Sequence, residues 1–262
     1  MTASAPPLIE MQNVSVIRGD KIVLHGLALT IQIGEHVAIL GPNGCGKSTL
    51  IKTITRELYP LERDGASLKM LGRELWDVSE LRSLLGIVSN DLMSIVSRPI
   101  TAREAVLSGF FSSIGLWPHH KVTPAMQRRA DELLDFLEIA HLADRNVGRM
   151  SSGEARRVLI ARALVHNPRA LVFDEPSNSL DVFAQTELRS TMRKLAKSGI
   201  TLLLVTHHLP DIIPEIRRVI LMRAGRIVGD GSKTRLLTAK TLTNLFGISV
   251  KIGRENGYYH LR

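Results

Sequence analysis

Gly41-Pro42-Asn43-Gly44-Cys45-Gly46-Lys47-Ser48-Thr49 fits the spacing G-x-x-x-x-G-K-[ST] of a loop that cradles phosphates. Its glycines let successive backbone N–H groups curl around phosphate oxygens, and a helix opening after the loop adds the positive end of its dipole. Lys47 is placed to reach β- and γ-phosphates, and the Ser48 hydroxyl is suited to ligate magnesium. Both flanks match: Glu35–Leu40 (EHVAIL) reads as a buried strand and Ser48–Glu57 as a helix. A second group lies in Ala170–Glu175 (ALVFDE), an apolar strand ending in two acids. Asp174 can hold the hydration shell of a magnesium ion facing the phosphates, and Glu175 can polarise an attacking water. An acidic strand end alone also reads as an exposed turn; the phosphate loop upstream gives it chemical meaning.

Met150-Ser151-Ser152-Gly153-Glu154 opens a further helix, continuing ARRVLIARAL. Ser151, Ser152 and the Gly153 backbone form an N-terminal anion site. The same residues also read as an ordinary N-cap, with Glu154 completing a capping box. Ser177–Asp181 (SNSLD) and Val205-Thr206-His207 complete the set. His207, at a strand end, can bond a γ-phosphate or serve structure alone.

The elements that must position these groups alternate. Two β-rich runs surround the turn Arg18-Gly19-Asp20 within residues 8–40, and short strands are expected at Ala66–Leu71 and Leu84–Ser89. Arg98-Pro99 marks a break, after which 101–111 and 126–145 carry apolar residues at helical spacing. Helix Ser152–His166, strand Ala170–Phe173, helix Val182–Ser198 and strand Thr201–Thr206 follow, then a helix Lys233–Phe246 and a hairpin Val250–Leu261 turning at Glu255-Asn256-Gly257. This order predicts an α/β fold: a phosphate-loop core with a mostly parallel sheet, an antiparallel β part at the N-terminus and a helical insert. The core is expected to span 1–97 and 151–231, with 98–150 the insert and 232–262 a C-terminal helix and hairpin.

The chain has 262 residues, 44% of them hydrophobic, enough for a sizeable core. With 34 Lys and Arg against 25 Asp and Glu, the formal charge is +9, which suits acidic partners or simply a solvated surface. The single cysteine, Cys45, excludes an internal disulfide and a zinc cluster. The first residues show no basic and apolar pattern of a signal peptide, and no run approaches the ~18 apolar residues of a membrane span. The expected location is cytoplasmic, with membrane association only through partner subunits.

Four ordered motifs (the phosphate loop, MSSGE-ARRVLIARAL, LVFDEPSNSLD and LVTHH) make the chain resemble the ATP-binding cassette family over about residues 8–232. The resemblance implies ATP and magnesium as cofactors and a head-to-tail dimer, of like or unlike cassettes, that sandwiches two ATPs. It implies that Ser151, Ser152, Gly153 and Glu154 contact ATP on the other subunit, that Asp181 bridges the two sites, and that His207 is the switch histidine. MSSGE departs from the family's usual LSGGQ: Ser152 adds a side chain near phosphate and Glu154 adds negative charge. Arg18 stands where the family usually has an adenine-stacking aromatic, a role a planar guanidinium can take. Asn90 stands where a magnesium-sensing glutamine usually ends its segment; it is one methylene shorter and would act through water. The combination is similar to single-cassette relatives of the molybdate-transport and photorepair-type ATPases.

The leading functional expectation is the ATPase subunit of a transporter whose membrane permease subunits are separate chains. Leu92, Met93, Ile95 and Val96 within Asn90–Ile100 fall beside the groove where the family receives the permease, or else pack inside the helical insert. The alternative is a cassette acting on nucleic acid or ribosomes. Arg128-Arg129, Arg156-Arg157, Arg217-Arg218 and Arg223/Arg226 favour it weakly, but no aromatics interleave with them as a stacking platform requires. A non-hydrolysing scaffold is disfavoured by Glu175 and His207.

Overall fold

A computed structural model describes residues 5–89 and 99–261. Asn90 and the apolar cluster Leu92–Val96 lie outside the described residues. The chain begins with β1 (Ile9–Arg18) and β2 (Lys21–Ile31), then β3 (Val37–Leu40), which leads through the glycine-rich loop into α1 (Lys47–Ile54). β4 (Ser67–Met70), α2 (Val78–Leu84) and β5 (Leu85–Ser89) follow. Next come α3 (Ala102–Leu107), α4 (Pro124–Phe136) and α5 (Ser152–Ala163), then β6 (Ala170–Asp174), α6 (Val182–Lys197) and β7 (Thr201–Thr206). The last part holds β8 (Arg218–Arg223), β9 (Arg226–Ser232), α7 (Lys233–Leu236), α8 (Ala239–Phe246) and the hairpin β10 (Ile252–Glu255) with β11 (Tyr258–Leu261).

Six strands form the main sheet in the order β5-β6-β7-β3-β8-β9. All neighbouring pairs are parallel except β8 with β9. A second, antiparallel sheet has the order β2-β1-β4. The central strands β3, β6 and β7 are buried on both faces, which explains why they read as continuous apolar runs. Their pleat still divides the side chains. Leu171 and Phe173 of β6, Leu202 and Leu204 of β7, Ala38 and Leu40 of β3 join one core with α3, α4, α5 and α6. Ala170 and Val172, Leu203 and Val205, Val37 and Ile39 point to the other face and join a core with α1 and the antiparallel sheet. Thus the helical segment after residue 98 packs on one face and the N-terminal β part on the other.

Three expected helices end differently. The pattern over 126–145 gives a helix only to Phe136; Glu138 turns at φ +62 and a short 3₁₀ turn at Ala140–Leu142 follows. This reversal buries Ile139 and Leu142, so core packing overrides helical periodicity. α5 stops at Ala163, because Asn167 at φ +51 closes a turn whose N–H donates to Leu164 O at 3.0 Å. The expected helix 233–246 is two helices, since Thr238 leaves helical geometry to cap α8 at Thr241 N. The expected C-terminal hairpin forms, with Asn256 and Gly257 both at positive φ, as a two-residue type I′ turn requires. Residues 208–232, given no element from sequence, supply β8 and β9 around a second positive-φ turn, Ala224-Gly225.

Candidate functional site

Parallel strands bring their C-terminal ends to one edge of the sheet, where α/β proteins bind ligands. Leu40 pairs with Thr206, Asp174 with Val205, and Ser89 with Asp174. The loop after β3, the acids ending β6, His207 after β7 and the end of β5 therefore open onto one place.

The loop's shape follows from its glycines. A Cβ on Gly41 would sit 2.3 Å from Met222 O of β8, so the strand's neighbour excludes any side chain there. Gly46 takes φ +106 as the residue before α1, and its own Cβ would lie 2.8 Å from Leu24 Cδ2 of β2. The loop is clipped from outside: Gly225 N–H donates to Cys45 O at 2.9 Å, and His25 N–H donates to Gly225 O at 2.9 Å. The β8–β9 turn and β2 thus hold the loop, a support that sequence reasoning missed. The signal was available as the Ala224-Gly225 turn between two β-rich runs.

Lys47 is 4% exposed, and its ammonium donates to Gly41 O at 2.8 Å and Pro42 O at 3.1 Å. Asn43, Gly44 and Ser48 lie on the exposed side of the loop, and Cys45 and Thr49 point inward. Burial pushes the Cys45 thiol up, so it stays protonated and packs as a small apolar group. Lys47 Nζ lies 3.3 Å from Glu175 Oε1, and His207 Nδ1 lies 3.1 Å from Glu175 Oε2. Asn178 Nδ2 donates to the same Oε2 at 2.7 Å. Burial opposes ionisation of Glu175. The bonds from Asn178 and His207 and the charge of Lys47 outweigh it, and hold the carboxyl below the usual glutamate value. Glu175 also sits at φ +47, a left-handed backbone that non-glycine residues adopt rarely, and its N–H donates to Val205 O at 2.8 Å. His208, whose ring lies 3.9 Å from that of His207, has its imidazole pushed below the ordinary value by burial and then by His207.

The structure thus brings Lys47, Glu175 and His207 together. The signature is held separately. Ser151 Oγ accepts from Glu154 N–H at 3.2 Å while Glu154 Oε2 accepts from Ser151 N–H at 2.7 Å, a complete capping box on α5. The Ser151 N–H bond is the main reason the Glu154 carboxyl lies below its usual range, so the charge that replaces glutamine is engaged locally. Ser152 is the first residue of α5. At Gly153 a Cβ would meet Ala184 Cβ of α6 at 3.1 Å. Asp181 caps α6 by accepting from Ala184 N–H at 2.8 Å. Arg18 is exposed at the end of β1, opposite Lys21. Its hairpin partner β2 touches the phosphate loop through Val23 and Leu24.

For a metal, the available donors are the exposed Ser48 hydroxyl at the first turn of α1 and Asp174 at the end of β6. Hard oxygens of this kind suit magnesium that takes its other ligands from phosphate and water. Among the described residues no group of three His, Cys, Asp or Glu forms an all-protein cage.

This fold and loop define an α/β nucleotide-binding ATPase of the phosphate-loop type. The family model described as ABC transporter matches residues 24–178. The ABC transporter ATP-binding protein YlmA of Bacillus subtilis is 31% identical over 252 residues, covering 94% of this chain and 93% of that protein. The hemin import ATP-binding protein HmuV of Bradyrhizobium diazoefficiens is 30% identical over 258 residues, covering 95% of this chain and 92% of its own. The fold also matches an inward-facing structure of a putative metal-chelate type ABC transporter, with a TM-score of 0.79 at 22% identity over 98% of this chain and 96% of that one. The chain belongs to the ATP-binding cassettes of ABC transporters, ATPases that couple ATP hydrolysis to transport. This membership supports the transporter expectation over the nucleic-acid one. Among the described residues no helix is long and apolar enough to cross a membrane.

Proposed function

We propose that the chain binds magnesium–ATP on Gly41–Thr49, hydrolyses it at Glu175, and as a dimer of cassettes energises separate membrane permease subunits. The observation that carries this reading is the meeting of Lys47, Glu175 and His207 at one end of the parallel sheet. Lys47 leaves its loop carbonyls to contact β- and γ-phosphates. Ser48 and Asp174 would hold a magnesium ion, which when bound would supply neutralisation of phosphate charge. Glu175 orients the attacking water in line with the γ-phosphate. A carboxylate held below its usual value is a weak base, so positioning outweighs proton abstraction, as expected for loose phosphoryl-transfer transition states. His207, tethered to Glu175, faces the same phosphate. Arg18 stacks on adenine from the hairpin beside the loop. In the dimer, Ser151, Ser152, Gly153 and Glu154 meet the partner's ATP and Asp181 lies between the two sites. The capping box supports this by presenting free N-terminal amides of α5 in a fixed geometry.

The helical segment 98–150 is the proposed permease-docking part. A groove of about 360 Å³, lined by Arg82 and Ser89 on one side and Ser112, Ile114 and Arg162 on the other, supports it. The protein would then sit at the cytoplasmic face of the membrane through its partners. Co-purification from native cells tests this. Recovery with a membrane permease that raises the ATPase rate is expected. Recovery with ribosomes or DNA, with binding that falls steeply as salt rises and none on membranes, would overturn the permease partnership.

A further inference from the structure

Asp211 is 2% exposed and lies four residues beyond His207, in a 3₁₀ turn over Leu209–Asp211. Its Oδ2 accepts from Ser177 Oγ at 2.6 Å and from Thr206 Oγ1 at 2.9 Å. Thr206 Oγ1 in turn accepts from His208 N–H at 2.9 Å. Ser177 belongs to the turn that follows Glu175, and Thr206 is the residue before His207. Leu209, Ile212 and Ile213 around the aspartate are buried in the core, so the carboxylate has a fixed base. A carboxylate is expensive to bury unless donors surround it, and here both side-chain donors come from the two turns that carry the proposed chemistry.

We propose that Asp211 is a positioning residue for ATP hydrolysis, joining the turn after β6 through Ser177 to the turn after β7 through Thr206, and so setting the contact between Glu175 and His207. Glu175 needs such support. Its φ of +47 is a conformation that persists only when its surroundings over-determine it. The backbone bond from Glu175 N–H to Val205 O ties the turn to β7 at one point, and Ser177–Asp211–Thr206 adds a second. The second attachment point fixes the turn that carries Glu175 and Asn178 against the turn that carries His207, and so sets where the carboxylate meets its side-chain partners. Asp211 is buried behind the two turns and acts through them.

The inference rests on the assignment of Glu175 and His207 above. Steady-state ATPase assays on the full chain, with magnesium and varied ATP, test it. Asp211→Ala is expected to lower kcat roughly ten- to a hundred-fold, the scale of losing charge-assisted bonds, with KM for ATP within about two-fold of wild type. Ser177→Ala, which removes one hydroxyl, is expected to give a smaller loss with the same split. Asp211→Asn keeps an acceptor oxygen and is expected to recover most of the rate. Wild-type kcat in both Asp211→Ala and Ser177→Ala, with only a lowered melting temperature, would make the cluster a core support and overturn the proposal. Should Asp211→Ala fail to fold, wild-type kcat in Ser177→Ala alone would overturn it. Glu175→Gln run beside them separates the two readings. If Glu175→Gln turns over normally, the assignment of Glu175 fails; if it is inactive while Asp211→Ala and Ser177→Ala are not, only the inference about Asp211 fails.

Discussion

Lys47 at the start of α1 and Glu175 just past β6 face each other with Nζ and Oε1 3.3 Å apart, although 128 positions separate them by their numbers, 175 − 47. Both are largely buried, with side chains 4% and 18% exposed, so the pair interacts with little solvent screening. The ammonium proposed to take phosphate charge and the carboxylate proposed to orient water are therefore coupled to each other directly.

Lys47→Ala removes the only side-chain cation bonded within the loop among the described residues. Tight ATP binding is expected to disappear, because no remaining loop group carries positive charge to the β- and γ-phosphates. Equilibrium binding of a fluorescent ATP analogue checks this. Wild-type affinity in the variant would show that the loop does not hold the phosphates.

Glu175→Gln keeps the shape of the side chain and loses its charge. ATP binding is expected to survive and turnover to fall by a factor of about a hundred or more, as for loss of a water-orienting group. An ATP-bound dimer should then accumulate on size-exclusion chromatography with ATP and magnesium. The same variant reads pH dependence. The folded-state pKa of Glu175 is depressed, so its ionised form adds stability above the ordinary glutamate range, and that stability is lost as pH falls through the folded value. Acid melts of wild type should therefore drop more steeply below that range than those of Glu175→Gln. Parallel acid limbs would mean that the carboxylate gains nothing from its partners.

Gly41→Ala places a Cβ 2.3 Å from Met222 O and 2.7 Å from Cys45 Sγ. Either β8 or the loop must shift, at a cost of about 1–3 kcal/mol in stability. Denaturant melts are expected to show that loss together with weakened nucleotide binding. Unchanged stability would mean that the loop and β8 are not packed as described.

Arg18→Ala should weaken ATP and ADP about equally, since the base is common to both. Calorimetric titration of the two nucleotides distinguishes this from a phosphate contact, for which ATP alone would lose affinity. The latter outcome would end the stacking assignment.

The sequence by itself determined the chemistry-bearing groups and most elements around them. Glycine spacing, Lys47, the acids Asp174 and Glu175, and the strand Thr201–Thr206 are local features, written in residue type and in the period of buried strands. Only the tertiary structure decided what those groups touch. The contact of Glu175 with Lys47 and His207 depends on parallel pairing of β6, β7 and β3, which no local pattern encodes. The clip of Gly225 on Cys45 and the burial of Asp211 between two turns are likewise choices made by packing, whereas the return of Glu154 onto Ser151 N–H is the local capping box that the Ser-x-x-Glu spacing predicts. The helices end at Phe136 and Ala163, short of what their periodicity predicts, because Glu138 and Asn167 turn the chain at positive φ and the residues at these turns, Ile139 and Leu164 among them, are buried in the core, so packing outweighs helical propensity.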